Sequence, residues 1–85
     1  MNIEKAVGME LSARRRKKRM SQERLGFDAG VHRTYVSLIE RGVKSPTVGV
    51  LFRLCQALDV SPAKFVRNVQ IRMQKAQKEN APGQA

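Results

Sequence analysis

"SQERLGFDAGVHRTYVSLIERG", Ser21 to Gly42, decides how this chain folds. It holds two short helix-like stretches parted by a few residues. Ser21 is a good N-cap, because its hydroxyl accepts from amides two or three residues on. A helix over about 22–29 follows, with Leu25 and Ala29 as its inward pair. Arg24 stands where a capping box would carry Glu or Gln, so the full box is missing. Gly30 ends this helix, since a glycine past the last turn takes the left-handed conformation cheaply. The next helix spans about 32–41 and stops at Gly42. His32 stands at its start, where serine or threonine would cap better. At about 100° per residue, Val36, Ile39 and Glu40 fall on one side. Thr34, Leu38 and Arg41 point the other way, with Ser37 between. A helix built only for packing would not need the surface that Arg33, Thr34, Tyr35 and Ser37 provide.

Outward from this stretch the helical signals continue. A first helix is expected over about 3–19, with Val7, Leu11 and Arg15 on one stripe and Gly8 weakening its middle. "SPT" opens a fourth helix, with Ser45 as cap and Pro46 in the first position, where its missing N–H costs nothing. Val50, Leu51, Leu54 and Leu58 form the inner stripe. "SPAKF" repeats the device at Ser61 and Pro62, and a fifth helix runs to about residue 78. Val66, Val69, Met73 and Ala76 keep helical spacing along it. "ENAPGQA" is polar and holds Pro and Gly, so 79–85 reads as a flexible tail. No period-two alternation or hairpin dipeptide persists. The fold class is therefore all-α, with one domain over 1–78.

At 85 residues the chain has little core to spare, which makes oligomerisation a reasonable expectation. Its net charge of +10, from 17 basic and 7 acidic residues, favours a polyanion: nucleic acid first, an acidic membrane surface second. "RRRKKR", Arg14 to Arg19, is the densest patch and also fits the loose nuclear-localisation pattern. No run reaches transmembrane length. The N-terminus carries Glu4 and Glu10 and lacks the apolar segment of a secretory signal, so a cytoplasmic location is expected. Cys55 is the only cysteine, which rules out an internal disulfide or a thiolate cluster and points to a reducing interior. Within "VLFRLCQAL" it reads as a small core residue. No nucleophile–base grouping, phosphate-binding glycine loop or metal spacing is visible. Neither an enzyme nor a cofactor nor a metal is expected.

From about Leu11 to Val66 the sequence resembles the Cro/CI-type (XRE) helix-turn-helix domain of phage repressors. The resemblance rests on "SQERLG", Gly30-Val31, "HRTYVS", "IERG", Pro46 and "ALDVSP", in order and at the family's spacing. "GVHRTYVSLIERG" also resembles restriction–modification controller proteins. The resemblance implies a five-helix, lambda-repressor-like DNA-binding domain with an extended C-terminal helix. It gives Gln22 a phosphate contact and places Arg33 and Thr34 at base edges. Ser37 and Leu38 become further groove-facing positions. Arg15 and Glu40 match an ion pair tying the first helix to the end of the third. His32 departs from the usual Ser, Thr or Asn cap, and Gly26 from the usual alanine.

The side chains carry chemistry of the same kind. Arginine on guanine O6/N7 is the commonest specific major-groove contact, and Arg33 is the residue near the start of that helix suited to it. Thr34 and Leu38 offer apolar contact to a thymine methyl. Tyr35 has two readings, a cover over the core's edge or a phosphate contact. Ser37 is either an exposed helix serine or a base or phosphate contact. Arg41 and Lys44 are placed to face the backbone, and His32 reads as a cap or a phosphate neighbour. Arg14, Arg16, Lys17 and Lys18 mostly supply long-range field. Phe65, Val66, Val69, Met73 and Ala76 extend an apolar stripe beyond what a minimal core needs, ringed by Lys64, Arg67, Arg72 and Lys75. That stripe is the expected dimer seam. The expected protein is a transcription regulator, a homodimer on double-stranded DNA with a palindromic operator, with RNA polymerase as a further partner. The alternatives are an antitoxin-like module or a bridging protein that uses the same fold to bind protein.

Overall fold

Each helix starts on a polar side chain that accepts from its first turn. The structure, a computed structural model, describes residues 1–80, with side chains to residue 78. Its helices are α1 (Ile3–Lys17), α2 (Gln22–Ala29), α3 (Arg33–Glu40), α4 (Val48–Ala57) and α5 (Pro62–Asn80). Asn2 Oδ1 accepts from the Lys5 N–H at 2.8 Å, and Ser21 Oγ from Arg24 at 2.9 Å. Ser61 Oγ accepts from Lys64 at 3.1 Å, with Pro62 as the first helical residue. The fourth helix corrects the expectation. Thr47, not Ser45, caps it, through Oγ1 to the Val50 N–H at 3.2 Å, and Pro46 lies outside the helix. Two hydroxyls two residues apart both suit the role, and the inward stripe has the same phase from either start.

Four helix ends share one device. The amides of Met20, Val31, Val43 and Val60 reach back to the carbonyls of Arg15, Gly26, Leu38 and Cys55. The residue before each amide adopts the left-handed conformation: Arg19, Gly30, Gly42 and Asp59, with φ of 57°, 73°, 73° and 57°. This is the 6→1 closure of a Schellman motif, which satisfies a carbonyl that the helix leaves open. It ends α1 at Lys17, short of the expected residue 19. The fifth helix goes further than expected, through Asn80, and the rest of the expected tail lies outside the described residues.

One core serves all five helices. Leu11, Leu25, Val36, Ile39, Leu54 and Cys55 are fully buried, and Phe65 and Val69 close the core from α5. These two were expected in an exposed dimer seam. The correction follows from packing: α5 lies against α1 and needs apolar side chains to fill that contact. Val66 remains half exposed on the outer face, while Met73 and Ala76 are half-buried.

Two glycines are sites of close approach. A Cβ at Gly8 would stand 2.4 Å from the Ile39 carbonyl oxygen, so the residue expected to weaken α1 is what lets it cross the end of α3. A Cβ at Gly26 would stand 2.6 Å from the Val31 carbonyl oxygen, which ties this glycine to the tight α2–α3 turn.

Glu10 fixes α5 to α1. It is the one charged residue in the core of the described chain. Arg14 Nε and Asn68 Nδ2 donate to its Oε2 at 2.8 and 3.0 Å, and Arg72 Nε to its Oε1 at 2.9 Å. Burial pushes the carboxyl pKa up, but the hydrogen bonds from Arg14, Asn68 and Arg72 outweigh it and hold the pKa below the ordinary value. Arg14 is thus committed to an ion pair, not to long-range field, and Arg72 is not a free rim cation around a seam.

Candidate nucleic-acid interface

The surface of interest is built on a second carboxylate, largely shielded from water. Arg15 grips Glu40 with both branches of its guanidinium: Nε donates to Oε2 at 2.7 Å and Nη2 to Oε1 at 3.0 Å. Its Nη1 donates to the Met20 carbonyl at 2.8 Å, and the Gln22 amide donates to Glu40 Oε1 at 3.0 Å. One carboxylate therefore joins the end of α1, the start of α2 and the end of α3. The Arg15 and Glu40 side chains are 12% and 7% exposed, so the pair is largely shielded from water. Hydrogen bonding to Glu40 raises the Arg15 pKa further, against a smaller opposing effect of burial.

This network fixes the angle between α2 and α3 and leaves an open cleft between their N-terminal ends. Arg15, Ser21, Gln22, Glu23, Arg33, Thr34 and Ser37 line its volume of about 660 Å³. Val36 and Ile39 anchor α3 in the core, which turns Arg33 and Thr34 outward into the exposed surface. Ser37 is half-buried at the cleft, and Leu38 is half-buried as well. His32 caps α3: its Nδ1 accepts from the Thr34 N–H at 3.0 Å, so a neutral ring carries its proton on Nε2. His32 itself is exposed.

Tyr35 is half-buried against the core, and the Lys44 ammonium lies 5.7 Å from the centre of its ring. Arg41 is exposed just past α3. Gln22 lines the cleft with one N–H of its amide held by Glu40, a contact that its position in the sequence does not reveal. The sequence reading missed Glu23, whose carboxylate lies 4.0 Å from Arg33 Nη1. Arg16, Lys17, Lys18 and Arg19 are exposed at the end of α1, beside the start of α2.

Other chemistry has little to build on. Among the described residues no group of three or more His, Cys, Asp or Glu is placed to hold a metal ion. Cys55 is buried, and burial pushes its thiol up to about 11, against a smaller opposing field from Arg14. Among the described residues no helix is long and apolar enough to cross a membrane.

Known proteins share both the pattern and the shape. A helix-turn-helix family profile matches residues 11–65. The HTH-type transcriptional regulator y4dJ of Sinorhizobium fredii is 39% identical over 66 residues, covering 78% of this chain and 86% of that protein. The control protein C.BamHI of Bacillus amyloliquefaciens is 44% identical over 46 residues, 54% of this chain and 57% of that protein. The crystal structure of the restriction-modification controller protein C.AhdI from Aeromonas hydrophila superposes with a TM-score of 0.71 at 34% identity, covering 73% of this chain and 94% of that one. The buried Arg15–Glu40 clamp, the polar face of α3 and these likenesses lead to one conclusion: the chain belongs to the Cro/CI-type (XRE) helix-turn-helix family of DNA-binding transcription regulators.

Proposed function

We propose that the protein is a sequence-specific, non-enzymatic regulator that binds an approximately palindromic operator as a homodimer and controls its own gene. The observation that carries this reading is the exposed start of α3. Arg33 and Thr34 stand there at the mouth of a cleft whose other wall is the start of α2. Arg33 offers the fork that guanine O6 and N7 accept, and Thr34 a methyl for thymine. Ser37 and the exposed edge of Leu38 extend the groove-facing row. One N–H of the Gln22 amide is held by Glu40, which leaves the second for a phosphate beside the backbone amides of the first turn of α2. His32 Nε2–H, Tyr35, Arg41 and Lys44 are the donors set to hold the flanking backbone.

Half-sites one turn apart require recognition helices about 34 Å apart, and one protomer supplies one. Phe65 and Val69 are occupied by the protomer's own core. Val66 and Ile71 on α5, with Val48 and Phe52 on α4, are exposed apolar side chains open to a second copy, and Met73 is partly packed on the core. Regulation works by occupancy, which blocks RNA polymerase or contacts it from an adjacent site. The likeness to controller proteins supports the autoregulatory part of the reading. The protein acts at the nucleoid, in the cytoplasm.

The experiment has two stages. Fragments bound from a random duplex library define the operator, and its affinity is then titrated against salt. A dimer that neutralises about 6–10 phosphates should give a slope of log K on log salt of roughly −5 to −9. A slope near zero sinks the DNA-binding reading.

A further inference from the structure

Glu23 is the only acid among the residues that line the cleft between α2 and α3, on a chain of net charge +10. Its carboxylate lies 4.0 Å from Arg33 Nη1, with the Arg33 and Glu23 side chains 66% and 77% exposed. Such a pair adds little to stability in water. Its cost on a surface meant for phosphates is evident, because like charges brought together there oppose binding.

We propose that Glu23 is a specificity-determining residue that positions Arg33, an inference that rests on the DNA-binding reading above. On non-cognate DNA the nearest acceptor for Arg33 is a phosphate. To reach it Arg33 swings out of the groove and Nη1 leaves Glu23, so the abandoned carboxylate then faces the phosphates without a cation beside it. On a cognate guanine the pair survives. Nη1 stays against Glu23, and the Nε–Nη2 edge of the planar fork donates to O6 and N7. Glu23 therefore penalises the wrong complex and leaves the right one intact, which is how discrimination arises without extra affinity.

A first-turn acid also favours its own helix through the helix dipole, so the test must separate the two roles. Glu23→Gln removes the charge. Glu23→Asp keeps it in the first turn but draws the carboxylate back by one methylene, roughly 1.5 Å. Each full-length variant is titrated against the selected operator duplex and a scrambled duplex of equal length.

Glu23→Gln should bind the scrambled duplex about 3–10-fold more tightly, with no gain on the operator, so the specificity ratio falls by that factor. Glu23→Asp should also lower the ratio, with an unchanged melting temperature. In an Arg33→Ala background, Glu23→Gln should leave the ratio unchanged within about twofold. Equal tightening on both duplexes, or Glu23→Asp behaving as wild type, would overturn the inference while the DNA-binding reading stands. Wild type that binds neither duplex would overturn both.

Discussion

Glu10→Gln is the sharpest test of how α5 is held. Three donors converge on the two oxygens of Glu10: Arg14 Nε, Asn68 Nδ2 and Arg72 Nε, at 2.8, 3.0 and 2.9 Å. Glutamine offers one acceptor oxygen and an amide that is itself a donor. At least one incoming N–H then meets another N–H, and both guanidinium groups lose their counter-charge. Removing one partner of a buried pair costs about 3–5 kcal/mol when the other stays dry. Here Arg14 and Arg72 keep 18% and 31% of their side-chain surface, so both can regain water. The cost should come down to about 2–3 kcal/mol. For a domain of this size that lowers the melting temperature by about 10–20 °C.

The same carboxylate sets a pH dependence. Its folded pKa lies below the ordinary value of 4.5, so its stabilisation is complete above that value and drains away as pH falls through the folded pKa. Wild type should lose stability in acid more steeply than Glu10→Gln. Thermal unfolding followed by circular dichroism, at neutral and at stepwise lower pH, reads both effects. A variant within about 0.5 kcal/mol of wild type, with a parallel acid profile, would refute the account of α5 docking.

Three further outcomes are expected. Gly8→Ala should destabilise by about 1–3 kcal/mol, reversing the gain of about 0.5–1 kcal/mol that alanine normally brings to a helix, because the new methyl meets the Ile39 and Glu40 carbonyls. A melting temperature above wild type would show that the α1–α3 contact is looser than described. Glu40→Ala strands Arg15 and frees Gln22, at a cost of up to about 3–5 kcal/mol. Calorimetry that finds a change of under about 2 °C would refute a shielded pair. Cys55, with its thiol near 11, should resist a disulfide reagent in the folded protein at neutral pH and react fully in denaturant. Rapid labelling of the native chain would contradict its burial.

What the sequence made legible was the part of the structure decided within a turn or two of chain. Ser21 and Ser61 cap their helices because a hydroxyl accepts from an amide three residues on, and that relation is written locally. Gly30 and Gly42 end theirs for the same kind of reason. Contacts between distant segments were another matter. Glu10 meets Asn68 and Arg72 across 58 and 62 residues, and nothing near Glu10 announces either partner. Periodicity placed Phe65, Val66, Val69 and Met73 along neighbouring rows of α5 but could not say which row another helix fills. The arginine and glutamate that clamp α1 to the end of α3 lie 25 residues apart, and only the family resemblance paired them in advance.

The same division runs through the interface itself. Its residue types were legible: an arginine, a threonine and a serine on one face of a short helix after a glycine turn. The way α2 meets that helix was not, because it depends on Glu40. That carboxylate accepts from the Gln22 amide and holds the start of α2 against the end of α3. A residue matched to a phosphate contact thereby also braces the scaffold, with one amide N–H on Glu40. Its neighbour Glu23, which the sequence reading missed, becomes the carboxylate beside Arg33. Sequence pattern identified the surface by the side chains it carries. How α2 and α3 sit against each other beneath it follows from one largely shielded carboxylate at the end of α3.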